Sequence, residues 1–222
     1  MPRDTRIFAA AALAALVAGC GGSNSAPPTL PPPTGDLETG PAACNGSTAA
    51  DFSCSGINLR SRVPLADMGG STGNDIWGWV DALTGNEYAL MGMTNGTAFV
   101  DVTDPENPVY LGVLPTETIS TPWRDIKVYQ DHAYIVADAS GAHGMQVFDL
   151  TRLRGVVAPQ TFAADALYSD FGNAHNLAIN EDTGFAYAVG SNTCEHGLHM
   201  IDITTPNNPL FAGCHDLFDV HD

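Results

Sequence analysis

From residue 70 onward the apolar positions fall into short runs, and the runs come in sets of four. The first set reads "DIWGWVD", "EYALMGM", "TAFVDVT" and "PVYLGVL". The second reads "RDIKVYQ", "HAYIVAD", "MQVFDLT" and "PQTFAAD", and the third "HNLAINE", "FAYAVGS", "LHMIDIT" and "PLFAGCH". Each run is rich in β-branched and aromatic residues and is bounded by glycine, asparagine, aspartate or proline. That pattern describes short strands joined by turns. The second run of every set is nearly all apolar ("YALMGM", "AYIVA", "AYAV") instead of alternating, as expected for a strand buried on both faces. Helical periodicity is nearly absent.

The sets are repeats of one unit. "FVDVT" ends at Thr103, "VFDLT" at Thr151 and "MIDIT" at Thr204, so that Asp101, Asp149 and Asp202 lie 48 and 53 residues apart. This period belongs to propeller blades and is too long for leucine-rich or ankyrin units. "DPENP" and "TPNNP" supply the turn between the third and fourth strands, with proline fixing φ and aspartate or asparagine closing the turn. The expected fold is all-β: a β-propeller of four-stranded antiparallel blades, about three of them in residues 70–222, with the start of a fourth at "FDVHD". Propellers typically close with about 4–8 blades. The ring is therefore expected to be incomplete here and the chain to be the N-terminal part of a longer one. "INLRSRVPLADM", residues 57–68, precedes the first blade as an outer strand would, and is a candidate for the strand that clasps the last blade.

The beginning of the chain reads differently. "MPRDTR" followed by "IFAAAALAALVA" has the basic start and short apolar run of a signal peptide, too short to span a bilayer. Residues 1–19 are assigned to it, since "LVAGC" resembles the lipobox that makes Cys20 the acylated first residue of a bacterial lipoprotein. Several acyl chains on Cys20 would anchor the protein stably in a membrane. Gly21, in place of an aspartate, favours an outer membrane or cell surface. Residues 20–43 are rich in proline, glycine, serine and threonine and form an extended tether. Residues 44–69 are a cysteine-containing lead-in. Residues 1–19 contain Arg3, Arg6 and Asp4, so the remaining chain holds 6 basic and 24 acidic residues, a net charge of −18. Such a balance argues against nucleic acid as a partner. Beyond Cys20 four cysteines remain, an even count that suggests two disulfides in an exported protein. Of the three pairings available, the sequence neighbours Cys44–Cys54 and Cys194–Cys214 are favoured.

The strand order sorts the candidate chemistry onto two ends. His143, His175, His196, His199, His215 and His221 fall at the end where first strands start and second strands finish, and His132 at the other. His143, His196, His199 and His215 are assigned to binding-face loops. First strands are innermost, so their leading residues Asp125, His175, His221 and Asp222 would line a channel, where imidazole and carboxylate groups could hold a divalent transition metal. No close ligand spacing such as HExxH supports that set. The once-per-blade aspartates are read as turn-closing acceptors of backbone N–H bonds. "GGSTG", residues 69–73, matches the G-x-S-x-G pattern but is followed by a strand and not a helix, so it is a loop. Trp77, Trp79 and Trp123 are read as packing residues, with stacking on a ligand open to Trp77 and Trp123.

"IWGWVDALTGNEYALMGMTNGTAFVDVTDPENPVYLG", "SDFGNAHNLAINEDTGFAYAVGSNTC" and "GLHMIDITTPNNPLFAGC" resemble the choice-of-anchor B family, bacterial surface proteins built of LVIVD-type repeats. The resemblance spans about residues 44–222. It implies a surface location and a membrane anchor more than an activity. The favoured function is a surface-anchored binding or scaffold module with a protein or glycan ligand; the alternative is a metal-dependent hydrolase or lactonase-like enzyme using the His/Asp set at the channel mouth. Fold alone does not award that activity.

Overall fold

A computed structural model of the chain describes residues 40–222. The expected signal peptide, Cys20 and most of the expected tether lie outside the described residues. What is described is all-β, with no α-helix and three 3-10 turns at Leu65–Met68, Leu150–Leu153 and Cys194–His196.

The lead-in carries a small hairpin, β1 (Thr48–Ala49) and β2 (Phe52–Ser53), closed by the Cys44–Cys54 disulfide. Residues 57–68 make a bridge from Leu59 to Ala42 and the Leu65–Met68 turn. Met68 then packs with Met93, Ala98 and Val100 on one face of the first sheet.

Three sheets follow, one per repeat. The first contains β3 (Gly73–Val80), β4 (Glu87–Met93), β5 (Gly96–Asp101) and β6 (Val109–Pro115), paired antiparallel in sequence order. The second contains β7 (Arg124–Tyr129), β8 (His132–Ala137) and β9 (Met145–Asp149). Its fourth strand departs from the expected "PQTFAAD". In that stretch β10 (Gln160–Thr161) crosses to the first sheet and pairs in parallel with Gly112–Val113 of β6. The outer strand of the second sheet is β11 (Ala166–Tyr168). Two features explain the crossing. Phe162 enters the aromatic cluster of Phe99 and Phe148, at centroid distances of 5.6 and 5.1 Å. Gly112, at φ +133°, lets the Gln160 carbonyl approach where a Cβ would sit only 2.0 Å from its oxygen. The third sheet holds β12 (Asn176–Asn180), β13 (Phe185–Val189), β14 (Leu198–Asp202) and β15 (Leu210–His215) in sequence order.

The sheets pack face on face, and the second strands show why their sequences are apolar throughout. Ala133 and Ile135 of β8 join Leu90, Phe99 and Leu111 in a core against the first sheet. Tyr134 and Val136 of the same strand join Leu177, Ala186 and Ile201 in a second core against the third sheet. Alternate residues of a strand point to opposite faces, so a strand sandwiched between neighbours needs apolar side chains at every position. Phe99 and Phe148 stack at 4.6 Å in the first core, both fully buried. Two side-chain ties fix how the first strands follow one another. Asp75 Oδ2 accepts from Ile126 N at 2.8 Å, and Asp125 Oδ2 accepts from Leu177 N at 2.8 Å.

The turn-closing aspartates behave as expected. Asp101, Asp149 and Asp202 each accept the backbone N–H two residues ahead, from Thr103, Thr151 and Thr204, all at 2.9 Å. Asp149 and Asp202 also accept from the threonine hydroxyl.

Candidate functional site

The ends of three segments meet where the second and third sheets adjoin. Asp138 follows the last residue of β8, and its backbone N–H donates to Trp123 O at 3.1 Å. His175 immediately precedes β12, and its N–H donates to Val189 O at 2.9 Å. His221 and Asp222 lie on the segment after β15, which is held by Gly190 N to Val220 O at 2.7 Å and Val220 N to His196 O at 2.9 Å. Gly190 is what allows the crowding. It has φ +55°, and a Cβ there would lie 2.6 Å from the His175 Cβ and 3.4 Å from the His221 ring.

The side chains brought together are Asp138, His175, His221 and Asp222. His175 Nδ1 is 3.0 Å from Asp138 Oδ2, and its Nε2 is 3.7 Å from Asp222 Oδ1. His221 Nδ1 is 3.0 Å from Asp222 Oδ2, and the two imidazoles overlie each other at 4.1 Å. Ligand-capable atoms of Asp138, His175 and His221 all lie within 4.8 Å of one another. Backbone and amide donors hold the carboxylates in place. Asp138 Oδ1 accepts from Ala139 N at 2.6 Å and Asn173 Nδ2 at 3.3 Å, and Asp222 Oδ1 accepts from Asn176 Nδ2 at 2.9 Å. The Asp222 carboxylate raises the His221 pKa above its usual value, and the hydrogen bond from His221 lowers that of Asp222.

Asp125, expected in this group, does other work. Lys127 Nζ grips its two oxygens at 2.7 and 2.8 Å, and one of them carries the tie to Leu177 N. Burial raises the Asp125 pKa, against the pull of Lys127. Asp138 was absent from the expected ligand set. Its position directly after a second strand, at the end where first strands begin, is readable from the strand pattern.

Two of the four supposed loop histidines are buried. His143, fully buried, receives Arg124 Nη1 at Nε2, 3.2 Å away, so its Nδ1–H donates to Gly144 O at 2.9 Å. Burial lowers its pKa to about 4. His199 sits within β14 and not in a loop. It is 2% exposed, between the Tyr168 hydroxyl at 2.7 Å and Thr193 Oγ1 at 2.8 Å, with its pKa lowered by burial. The strand starts at Leu198, inside "CEHGLHM", so His199 belongs to it and not to the turn. His196 is exposed in the Cys194–His196 turn, and His215, half-buried, ends β15. The Cys194–Cys214 disulfide pins that turn to β15. Cys194, Glu195 and His196 are consecutively left-handed, at φ +54°, +49° and +66°. Trp79 is buried, stacks on Tyr88 at 4.9 Å and donates to Asp131 Oδ1, whereas Trp77 and Trp123 are partly exposed.

No family model, no curated protein and no solved structure matches the chain.

Proposed function

We propose that this protein is an exported, membrane-tethered β-propeller that acts as a binding or scaffold module, offering the strand ends around Asp138, His175, His196 and His221 to a protein or glycan ligand. The observation that carries the reading is the succession of three like sheets packed face on face, with first strands linked by Asp75 to Ile126 N and Asp125 to Leu177 N. A constant step from sheet to sheet about an axis is what a propeller requires. Two disulfides support an oxidising compartment. The signal-peptide pattern, the lipobox ending in Cys20 and the resemblance to choice-of-anchor B proteins support export and anchoring. The hydrolase alternative requires a metal with an open coordination position at the same strand ends.

Cell fractionation of the wild type against Cys20→Ala tests the anchoring half. The wild type should stay with membranes and carry acyl mass on Cys20, and the variant should be released or retained unprocessed. A wild type without lipid on Cys20, or a variant processed and membrane-bound like the wild type, would refute the tether. The released domain, probed on a glycan array and against purified envelope proteins, should bind a ligand that His196→Ala or His221→Ala weakens.

A further inference from the structure

We propose that Asp138, His175 and His221 form a site for one divalent first-row transition metal ion. A tetrahedral ion bonded at about 2.0–2.2 Å holds its ligand atoms about 3.3–3.6 Å apart. His175 Nδ1 and Asp138 Oδ2 already lie 3.0 Å apart, and one donor atom from each of Asp138, His175 and His221 lies within 4.8 Å of the others. Side-chain rotations that exchange hydrogen bonds for metal bonds suffice to seat an ion.

Charge points the same way. The Asp138 and Asp222 carboxylates bring two negative charges to the cluster, which one dication cancels. Imidazole donors select zinc, cobalt, nickel, copper or iron over calcium and magnesium, which take oxygen. The supporting contacts are those of a built site. Ala139 N and Asn173 Nδ2 occupy one oxygen of Asp138 and leave Oδ2 facing His175, while Asn176 steadies Asp222.

The repeat explains why the site occurs at this junction. His175 holds the place that Arg124 holds in the preceding repeat, and Asp138 the place of Thr94 in the first. At the earlier junction the arginine reaches Met93 O and His143 instead, filling that space with a cation. Only between the second and third sheets do a carboxylate and an imidazole face each other at these positions among the described residues. The site needs neither the lipid tether nor a closed ring, so it stands or falls independently of the proposed function.

The test is a calorimetric titration of zinc, and a visible spectrum with cobalt, on chelator-stripped protein purified in detergent. One equivalent should bind with a micromolar or tighter dissociation constant, and the cobalt spectrum should show the intense bands of a tetrahedral ion. His175→Ala and Asp138→Asn should each weaken binding about 10–100-fold, with His196→Ala and His215→Ala unchanged. No binding at millimolar zinc would overturn the site. So would affinity retained in both His175→Ala and Asp138→Asn, or loss on His196→Ala, which would mark an adventitious surface histidine. If His175→Ala unfolds, Asp138→Asn and His221→Ala, the latter on the exposed final segment, carry the same comparison, with thermal unfolding of each metal-free variant as the folding control.

Discussion

At the scale of single residues, the most telling positions are buried polar ones. His143 is neutral in the fold because it accepts from Arg124, and burial holds its pKa near 4. An unfolded histidine titrates near about 6.5. The unfolded chain therefore binds a proton that the folded one refuses, and stability must fall as pH drops from about 6.5 towards 4. His199, also lowered by burial, adds to the same slope. Urea unfolding at pH 7.5 and 4.5 should show a loss of up to about 3 kcal/mol from His143, and His143→Gln should flatten the slope even where it lowers stability overall. A slope identical in wild type and variant would show that Arg124 does not hold the imidazole neutral. The repeated aspartates act more locally. Asp202→Ala removes the acceptor for Thr204 N and its hydroxyl and should lower the urea midpoint slightly. The role of these aspartates was legible from their recurrence once per repeat. The burial of His143 and His199 was not, because a histidine before a strand and a histidine within one look alike when the turn ahead of them is rich in glycine.

Among the elements, the strands were legible wherever both faces of a sheet are covered. The apolar runs of β4, β8 and β13 predicted burial on both sides, and the two cores that share β8 bear this out. The fourth strands, at sheet edges, were less so. "PQTFAAD" has strand composition, yet tertiary packing of Phe162 against Phe99 and Phe148 draws it to the neighbouring sheet. Composition says that a segment will be extended, not which edge it will join. Phe148→Ala should cost about 3–5 kcal/mol and lower the unfolding temperature by several degrees, since it opens a cavity where three phenylalanines meet. The Cys194–Cys214 bridge closes a loop of 20 residues, for which chain entropy gives about 3 kcal/mol. It also fixes the left-handed turn whose His196 carbonyl holds Val220, next to His221. Replacing both cysteines by serine should therefore lower stability and weaken zinc binding several-fold together; lost stability with unchanged affinity would uncouple the turn from the metal cluster.

For the whole molecule, the candidate site was half legible. His175, His221 and Asp222 were expected to converge because each stands at the start of an inner strand or its equivalent, and they do. Asp125 was drawn off by Lys127, a neighbour two residues ahead whose reach only the folded strand reveals. Asp138 replaced it because adjacent sheets bring a second strand's end against the next first strand's start, a relation between repeats and not within one. That same relation underlies the proposed ring. Its most direct test is electron microscopy, at side-chain resolution, of the protein purified from its native cells. The propeller reading predicts a closed ring of like sheets, with His175 and His221 at the end of the central channel and the Asp75 and Asp125 ties repeated between neighbours. Sheets that stack without curving about an axis, or a particle in which these strand ends face away from any channel, would contradict it.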